Sequence, residues 1–331
     1  MKRIAINGFG RIGRLVFRLM MDDPELEVVA INDLTDSEQL AYLLKYDTNH
    51  RRYDEKDISS DEEGIIVGGD HVLVFSETDP AKLPWGDLGI DVVFECTGKF
   101  VDKEKAYAHI TAGAKKVIIS APAKGDVKTI VYHVNDDILD GTEEVISAAS
   151  CTTNCLAPVL NVLEKEYGIV KGYMTTIHAY TNDQVTLDVA HKKGIYARRG
   201  RSCGMNIVPT STGAAKAIGK VIPSLNGKLK GSAMRVPVSD GSLVDLTLEL
   251  KENVSVEQIN ELFAKNVNET LHFTKDPIVS SDVISSTCGA VVDANLTDVI
   301  EVDGKQLVKV VAWYDNEMGY SAQMVRTAKK L

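Results

Sequence analysis

The chain has 331 residues, 44% of them hydrophobic and 25% charged, the composition of a globular protein with material for two cores. Its 37 Lys and Arg against 47 Asp and Glu leave a net charge of -10, which repels phosphate backbones and anionic lipid. A dedicated nucleic-acid or membrane partner is therefore not expected. No run approaches the roughly 18 apolar residues of a membrane span. Met1–Ile6 passes directly into polar Asn7 and Gly8, without the apolar region of a signal peptide. The five cysteines (Cys96, Cys151, Cys155, Cys203, Cys288) include no C-x-x-C pair, and the histidines are scattered. This predicts no disulfide framework, no metal site and a cytoplasmic setting.

In chain order, short runs rich in Val and Ile at 3–7, 27–32, 65–67, 72–75, 91–97, 116–120 and 145–149 read as strands covered on both faces. Segments 11–21, 37–45 and 103–111 carry helical spacing. The alternation predicts βαβ units and an α/β domain with a doubly wound parallel sheet.

Gly8-Phe9-Gly10-Arg11-Ile12-Gly13 follows the first strand and opens the first helix, and Asp33 ends the second strand 20 positions after Gly13. Three glycines in six residues also occur in unrelated turns. The strand, helix and acid together match the Rossmann-type dinucleotide fingerprint. In it Gly8 permits the turn, Gly10 lets backbone approach a pyrophosphate, and Gly13 lets helix and strand pack closely. Asp33 would accept from a ribose and repel a 2′-phosphate, favouring NAD. Thr97 and Ser120 close the strands at 91–97 and 116–120, where carboxyl ends meet a ligand or simply turn.

Beyond residue 150 the style changes. Longer runs at 172–179, 230–236, 242–251 and 306–313 alternate inward and outward residues, as in a mixed or antiparallel sheet of an α+β domain. Helices are expected at 151–167, 212–221, 255–268 and 318–330. Segment 182–206 is basic and aperiodic, and a structureless stretch of that length is usually functional.

Cys151 opens a helix after the strand at 145–149, where unpaired amides and the dipole would lower its pKa. Alone, Cys151 reads more commonly as a packed cysteine, and so does Cys155 one turn on. His178 stands near the end of a strand in the same domain, so the two form a candidate nucleophile–base pair. Arg235 in 233–237, Thr212-Gly213 at a helix start and Arg199 in 198–201 offer the donors a phosphate needs. A surface arginine, an N-cap and a solvated charge run are their bland counterparts.

Taken together, 6–14, 150–158, 178–182, 233–237 and 313–320 resemble phosphorylating glyceraldehyde-3-phosphate dehydrogenase, in order along the whole chain. The resemblance implies a glycolytic, NAD-dependent enzyme that oxidises glyceraldehyde 3-phosphate, with inorganic phosphate, to 1,3-bisphosphoglycerate. It implies Cys151 as the nucleophile carrying a thiohemiacetal and a thioester, with His178 as base. Thr181, Arg199 and Arg235 would hold the substrate phosphate. Ser150, Thr152, Thr212 and Gly213 would hold the attacking phosphate. Gly8, Gly10, Arg11, Ile12, Gly13, Asp33, Thr97, Ser120, Asn316 and Tyr320 would line the NAD site, with Asn316 hydrogen-bonding the nicotinamide amide. It further implies an NAD-binding domain at 1–149, onto which helix 317–331 packs back, and a catalytic domain at 150–316. The assembly would be a homotetramer with loop 182–206 crossing to a neighbour. The chain departs from the family pattern at Thr78, at Asp188-Val189-Ala190 and at Gly200, leaving coenzyme preference chiefly to Asp33. An erythrose-4-phosphate dehydrogenase paralogue and a non-catalytic binding role on the same scaffold are the alternatives.

Overall fold

The computed structural model describes residues 1–331. They fall into two units, Met1–Ser150 with Ser321–Leu331, and Cys151–Tyr320.

In the first unit the chain runs β1 (Lys2–Asn7), α1 (Arg11–Met20), β2 (Leu26–Asn32) and α2 (Ser37–Lys45). It continues through β3 (Ile58–Ser60), β4 (Gly64–Val67), β5 (Asp70–Phe75) and β6 (Val92–Glu95). Then come α3 (Lys103–Ala106), α4 (Ala108–Thr111), β7 (Lys116–Ile119), β8 (Lys128–Thr129) and β9 (Val145–Ser147). The sheet order is β3-β4-β5-β2-β1-β6-β7-β9-β8. From β5 to β8 every neighbouring pair is parallel. Ile4, Ala5 and Ile6 of β1 are all fully buried although successive side chains point to opposite faces, so both faces are covered. α1 packs through Leu15, Val16, Phe17 and Met20, and α2 opens on Asp36, whose carboxylate accepts the Gln39 amide.

Two expectations are corrected here. The runs at 65–67 and 72–75 join β3 in an antiparallel edge rather than extending the βαβ alternation. Gly68 and Gly69 take φ of 61° and 95°, and that two-residue turn folds the chain straight back. The helix expected over 103–111 divides at Tyr107, whose ψ of -16° tightens the turn while Ala106 and His109 are both buried.

The second unit contains α5 (Cys151–Glu166), β10 (Ile169–Ala179), β11 (Val208–Ser211), α6 (Ala214–Val221) and β12 (Leu229–Val236). β13 (Ser242–Leu250), α7 (Val256–Lys265), β14 (Leu271–Thr274), β15 (Ala290–Asp293), β16 (Asp298–Val302) and β17 (Lys305–Tyr314) follow. The order β11-β12-β10-β13-β17-β15-β14, with β16 on β17, is a mixed sheet: β10 runs parallel to β12 and antiparallel to β13. Val244, Leu246 and Leu248 form the fully buried side of β13, and α5 contributes Leu156, Val159, Leu160 and Leu163 to the core. The helix expected from Thr212 starts at Ala214 behind the N-cap Gly213. Segment 182–206 holds a 3₁₀ turn at Arg198–Gly200 and an isolated bridge between Val185 and Ser202.

α8 (Met318–Lys330) ends the chain, and from Ser321 onward it belongs to the first unit. There Lys2 Nζ donates to the Lys329 carbonyl at 2.8 Å, and Lys329 pairs with Asp23 and Glu25.

The glycine-rich turn is shaped by what a side chain would strike. Gly8 has φ of 91°, and a Cβ there would lie 2.8 Å from the Thr97 amide nitrogen. At Gly13 it would stand 2.1 Å from the Gly8 carbonyl oxygen. At Gly10 it would meet nothing within 4 Å. Gly13→Ala is thus expected to lose about 1–3 kcal/mol of stability through overpacking. Gly10→Ala should lose less than about 1 kcal/mol, the scale of an N-cap change. Urea midpoints measure both, and equal losses would contradict this account of the turn.

Candidate active site

The second unit brings the ends of several strands to the start of α5. In the β10–β12 register His178 lies opposite Arg235, and in the β13–β17 register Ser242 lies opposite Tyr314. Cys151, the first residue of α5, points its Sγ at His178 Nε2 across 3.4 Å. His178 is buried, and its Nδ1 lies 2.7 Å from the Ala179 carbonyl oxygen. A carbonyl only accepts, so that bond assigns the ring proton to Nδ1 and leaves the Nε2 lone pair facing sulfur. Tyr314 sits edge-on to the imidazole, ring centroids 5.9 Å apart. Its hydroxyl is 3.0 Å from Thr152 Oγ1 and 2.9 Å from Thr176 Oγ1.

Burial dominates the electrostatics. It pushes the Cys151 thiol above its ordinary range, while the charge of Arg235, the Thr152 hydroxyl and the amides of the helix start pull the other way. The expectation that the helix start lowers this pKa is corrected: the amides are there, but desolvation outweighs them. Burial and the Arg235 charge hold His178 down to about 3, against the bond to Ala179 and with a further push from Arg199. At rest the pair is a neutral thiol beside a neutral imidazole.

Around this pair the structure joins three of the expected phosphate ligands. Arg235 Nη1 donates to Thr181 Oγ1 at 2.9 Å and to the Ala179 carbonyl at 3.0 Å. The Thr181 hydroxyl donates to Asp183, and Arg199 forms an ion pair with the same carboxylate. Asp183 thus stands where an anion would be held, and no periodicity in 182–206 singled it out. Thr212 accepts the Ala214 amide at 3.2 Å within its own turn, beside Gly213. Ser150 immediately precedes α5. Asn316 Oδ1 accepts the Ser242 hydroxyl at 2.7 Å, and Tyr320 is buried in the first turn of α8.

In the first unit, a cavity of about 320 Å³ is lined by Asn7, Gly8, Gly10, Asp33, Thr78 and Thr97, among others. Asp33 is fixed there, accepting the Phe9 amide at 2.7 Å and the Thr35 amide at 3.1 Å. Thr97 is pinned by Glu95, which accepts its amide at 2.8 Å and also its hydroxyl. The other Glu95 oxygen takes Asn7 Nδ2 at 2.6 Å and lies 3.1 Å from His109 Nε2. Trp85 Nε1 donates to His109 Nδ1 at 3.0 Å, so the imidazole proton is on Nε2 and points at Glu95. Ser120 follows β7 and donates its amide to the Glu95 carbonyl at 3.0 Å. Ile12 lies with Gly13 in the first turn of α1. The backbone space over Gly10 and the fixed Asp33 fit a dinucleotide.

Arg11, expected to line the coenzyme site, opens α1 with both its terminal nitrogens bonded to the Asp47 carboxylate. Sequence spacing gave no sign of Asp47, which meets Arg11 from beyond α2.

The family model described as "Glyceraldehyde 3-phosphate dehydrogenase, NAD binding domain" matches residues 2–103, and the one described as "Glyceraldehyde 3-phosphate dehydrogenase, C-terminal domain" matches 150–316. The chain belongs to the glyceraldehyde-3-phosphate dehydrogenase family. A glyceraldehyde-3-phosphate dehydrogenase of Clostridium pasteurianum is 59% identical over 327 residues, covering 99% of this chain and 97% of its own. That of Clostridium acetobutylicum is likewise 59% identical over 327 residues, with the same coverage. The enzyme of Streptococcus pyogenes is 55% identical over 326 residues, 98% of this chain and 96% of its own. No helix in this member of the glyceraldehyde-3-phosphate dehydrogenase family is long and apolar enough to cross a membrane.

Burial alone would raise the Asp47 carboxyl, but hydrogen bonds from Arg11 and the His50 amide hold it at about 2, below its ordinary 3.8. A depressed carboxyl contributes stability that is present above its unfolded pKa and lost as pH falls through the folded one. The gap between the urea midpoints of the wild type and Asp47→Asn should therefore be full at neutral pH, begin to narrow below about pH 4 and close towards about pH 2. A constant gap down to pH 3 would count against the Arg11–Asp47 pair as the cause.

Proposed function

We propose that this chain oxidises glyceraldehyde 3-phosphate with NAD and inorganic phosphate to 1,3-bisphosphoglycerate, the glycolytic reaction. The observation that carries the reading is the Cys151 Sγ at 3.4 Å from a His178 Nε2 whose other nitrogen is held by the Ala179 carbonyl. Arg235, Thr181 and Arg199 receive the substrate phosphate, taking over from the Asp183 carboxylate. Its negative charge offsets the two cations that depress His178, so the imidazole becomes a better base as the substrate arrives.

Cys151 sulfur then bonds to the aldehyde carbon. The thiol proton passes to Nε2 and on to the former carbonyl oxygen, giving a thiohemiacetal. His178 next takes the hydroxyl proton while the carbon–hydrogen bond breaks, and a thioester remains on Cys151. The chemistry that NAD supplies when bound is acceptance of that hydride. Gly8, Gly10, Arg11, Ile12, Gly13, Asp33, Thr97 and Ser120 of the first unit, with Asn316 and Tyr320, would hold the coenzyme. Ser150, Thr152, Thr212 and Gly213 hold the attacking phosphate, whose oxygen displaces sulfur. The phosphate proton restores the thiol and the imidazolium proton goes to solvent, one per turnover.

The first unit serves the coenzyme and the second the chemistry. In loop 182–206, Ile195 and Tyr196 are 89% and 91% exposed, which supports a homotetramer in which copies of the chain cover them. A working thiol favours the reducing cytoplasm.

The direct test is NADH absorbance with glyceraldehyde 3-phosphate, NAD and graded phosphate. Rate should rise with phosphate, and Cys151→Ser should fall to background while still binding NAD. Turnover independent of phosphate would favour oxidation to a free acid, and an active Cys151→Ser would remove the nucleophile assignment. His178→Asn should slow hydride transfer by roughly 10²–10⁴-fold, the scale of a lost general base. A pre-steady-state rate equal to wild type would take His178 out of the mechanism.

A further inference from the structure

We infer that Ser242 is a positioning residue: it fixes which way round the Asn316 carboxamide stands, and through it the nicotinamide end of the coenzyme. The inference rests on the reading of Asn316 as the residue that meets the nicotinamide amide.

Ser242 is the first residue of β13 and is 1% exposed. Its Oγ receives the Ala179 amide at 3.0 Å. A backbone N–H only donates, so this bond occupies an Oγ lone pair and leaves the hydroxyl proton to be placed. The proton goes to Asn316 Oδ1, 2.7 Å away. The relay runs in one direction, from the Ala179 N–H through the Ser242 hydroxyl to the Asn316 oxygen.

That direction fixes the amide. With Oδ1 turned toward Ser242, Asn316 offers its two Nδ2 hydrogens on the opposite edge. Rotated by half a turn, Nδ2 would face Oγ, which would then accept two N–H groups. The hydroxyl proton would be left without an acceptor at a buried position, the unmade bond that interiors avoid. Asn316, 5% exposed, has little water to compensate.

A nicotinamide carboxamide presents a carbonyl that accepts and an amine that donates. Nδ2–H₂ turned outward recognises the carbonyl; the rotated form would offer an oxygen to the amine and favour the opposite setting of the ring. The relay also begins on the residue whose carbonyl holds His178 Nδ1 at 2.7 Å. Ala179 therefore sets the imidazole with its C=O and Asn316 with its N–H, tying the orientation of the base to that of the hydride acceptor's holder.

The test measures binding rather than turnover, using NAD and ADP-ribose, which shares every part of NAD except the nicotinamide. Ser242→Ala should weaken NAD about tenfold, the scale of one lost hydrogen bond, and leave ADP-ribose within about twofold. Asn316→Ala should show the same NAD-selective loss, and adding Ser242→Ala to it should cost nothing further. Ser242→Cys, which keeps the size with a weaker donor, repeats the measurement should the alanine variant not fold. Equal loss of both ligands would overturn the inference in favour of a general packing role. Unchanged NAD binding, or losses that add in the double variant, would also overturn it. An Asn316→Ala variant without NAD-selective loss would instead sink the reading of Asn316 itself.

Discussion

The bond from His178 Nδ1–H to the Ala179 carbonyl governs the second unit's chemistry. Without it the imidazole has two tautomers, one of which turns a hydrogen rather than a lone pair toward sulfur. With it, a thiol that burial keeps protonated faces a permanent acceptor. The constraint is built from backbone, so no side-chain substitution nearby can supply or remove the acceptor directly. Arg235 donates to the same carbonyl and to Thr181, which couples the position of the base to the side chains gathered for an anion.

The first unit is organised by close approach instead. Gly13 admits the Gly8 carbonyl, and Gly8 admits the Thr97 backbone. Thr97 is held from behind by Glu95, whose carboxyl oxygens also bond Asn7 and His109 in the interior. A floor of this kind cannot deform without leaving polar groups unpaired, and the cavity above it keeps its shape.

Much of this was legible in the sequence, for identifiable reasons. Strands such as β1, β7 and β13 announce themselves through continuous apolar runs or strict alternation, and α2 and α8 through helical spacing. The strands that escaped notice are short and weakly patterned. β8 is Lys128–Thr129, and β11 contains Pro209, which reads as a breaker but sits at the sheet edge where a missing N–H costs little. Cys151 and His178 stood out because each lies at an element end. Asp183, Asp47, Tyr314 and Ser242 did not, because their roles come from partners brought by packing: Ser242 and Asn316 are 74 positions apart, and Thr176 and Tyr314 138. Spacing also misjudged the thiol, since a helix start can be read from sequence while the degree of burial cannot.

The placement of α8 in the first unit carries a consequence for biosynthesis. The final helix supplies buried Met324, Val325 and Ala328 to the same unit that opens with β1, and the backbone near residue 329 binds the second residue of the chain. On a ribosome the opening sheet emerges first, yet its last structural piece is still being translated when the other unit is already complete. Vectorial folding of successive domains, the usual order for long chains, is thus reversed here: the unit begun first is closed only after the segment that forms the second has been made.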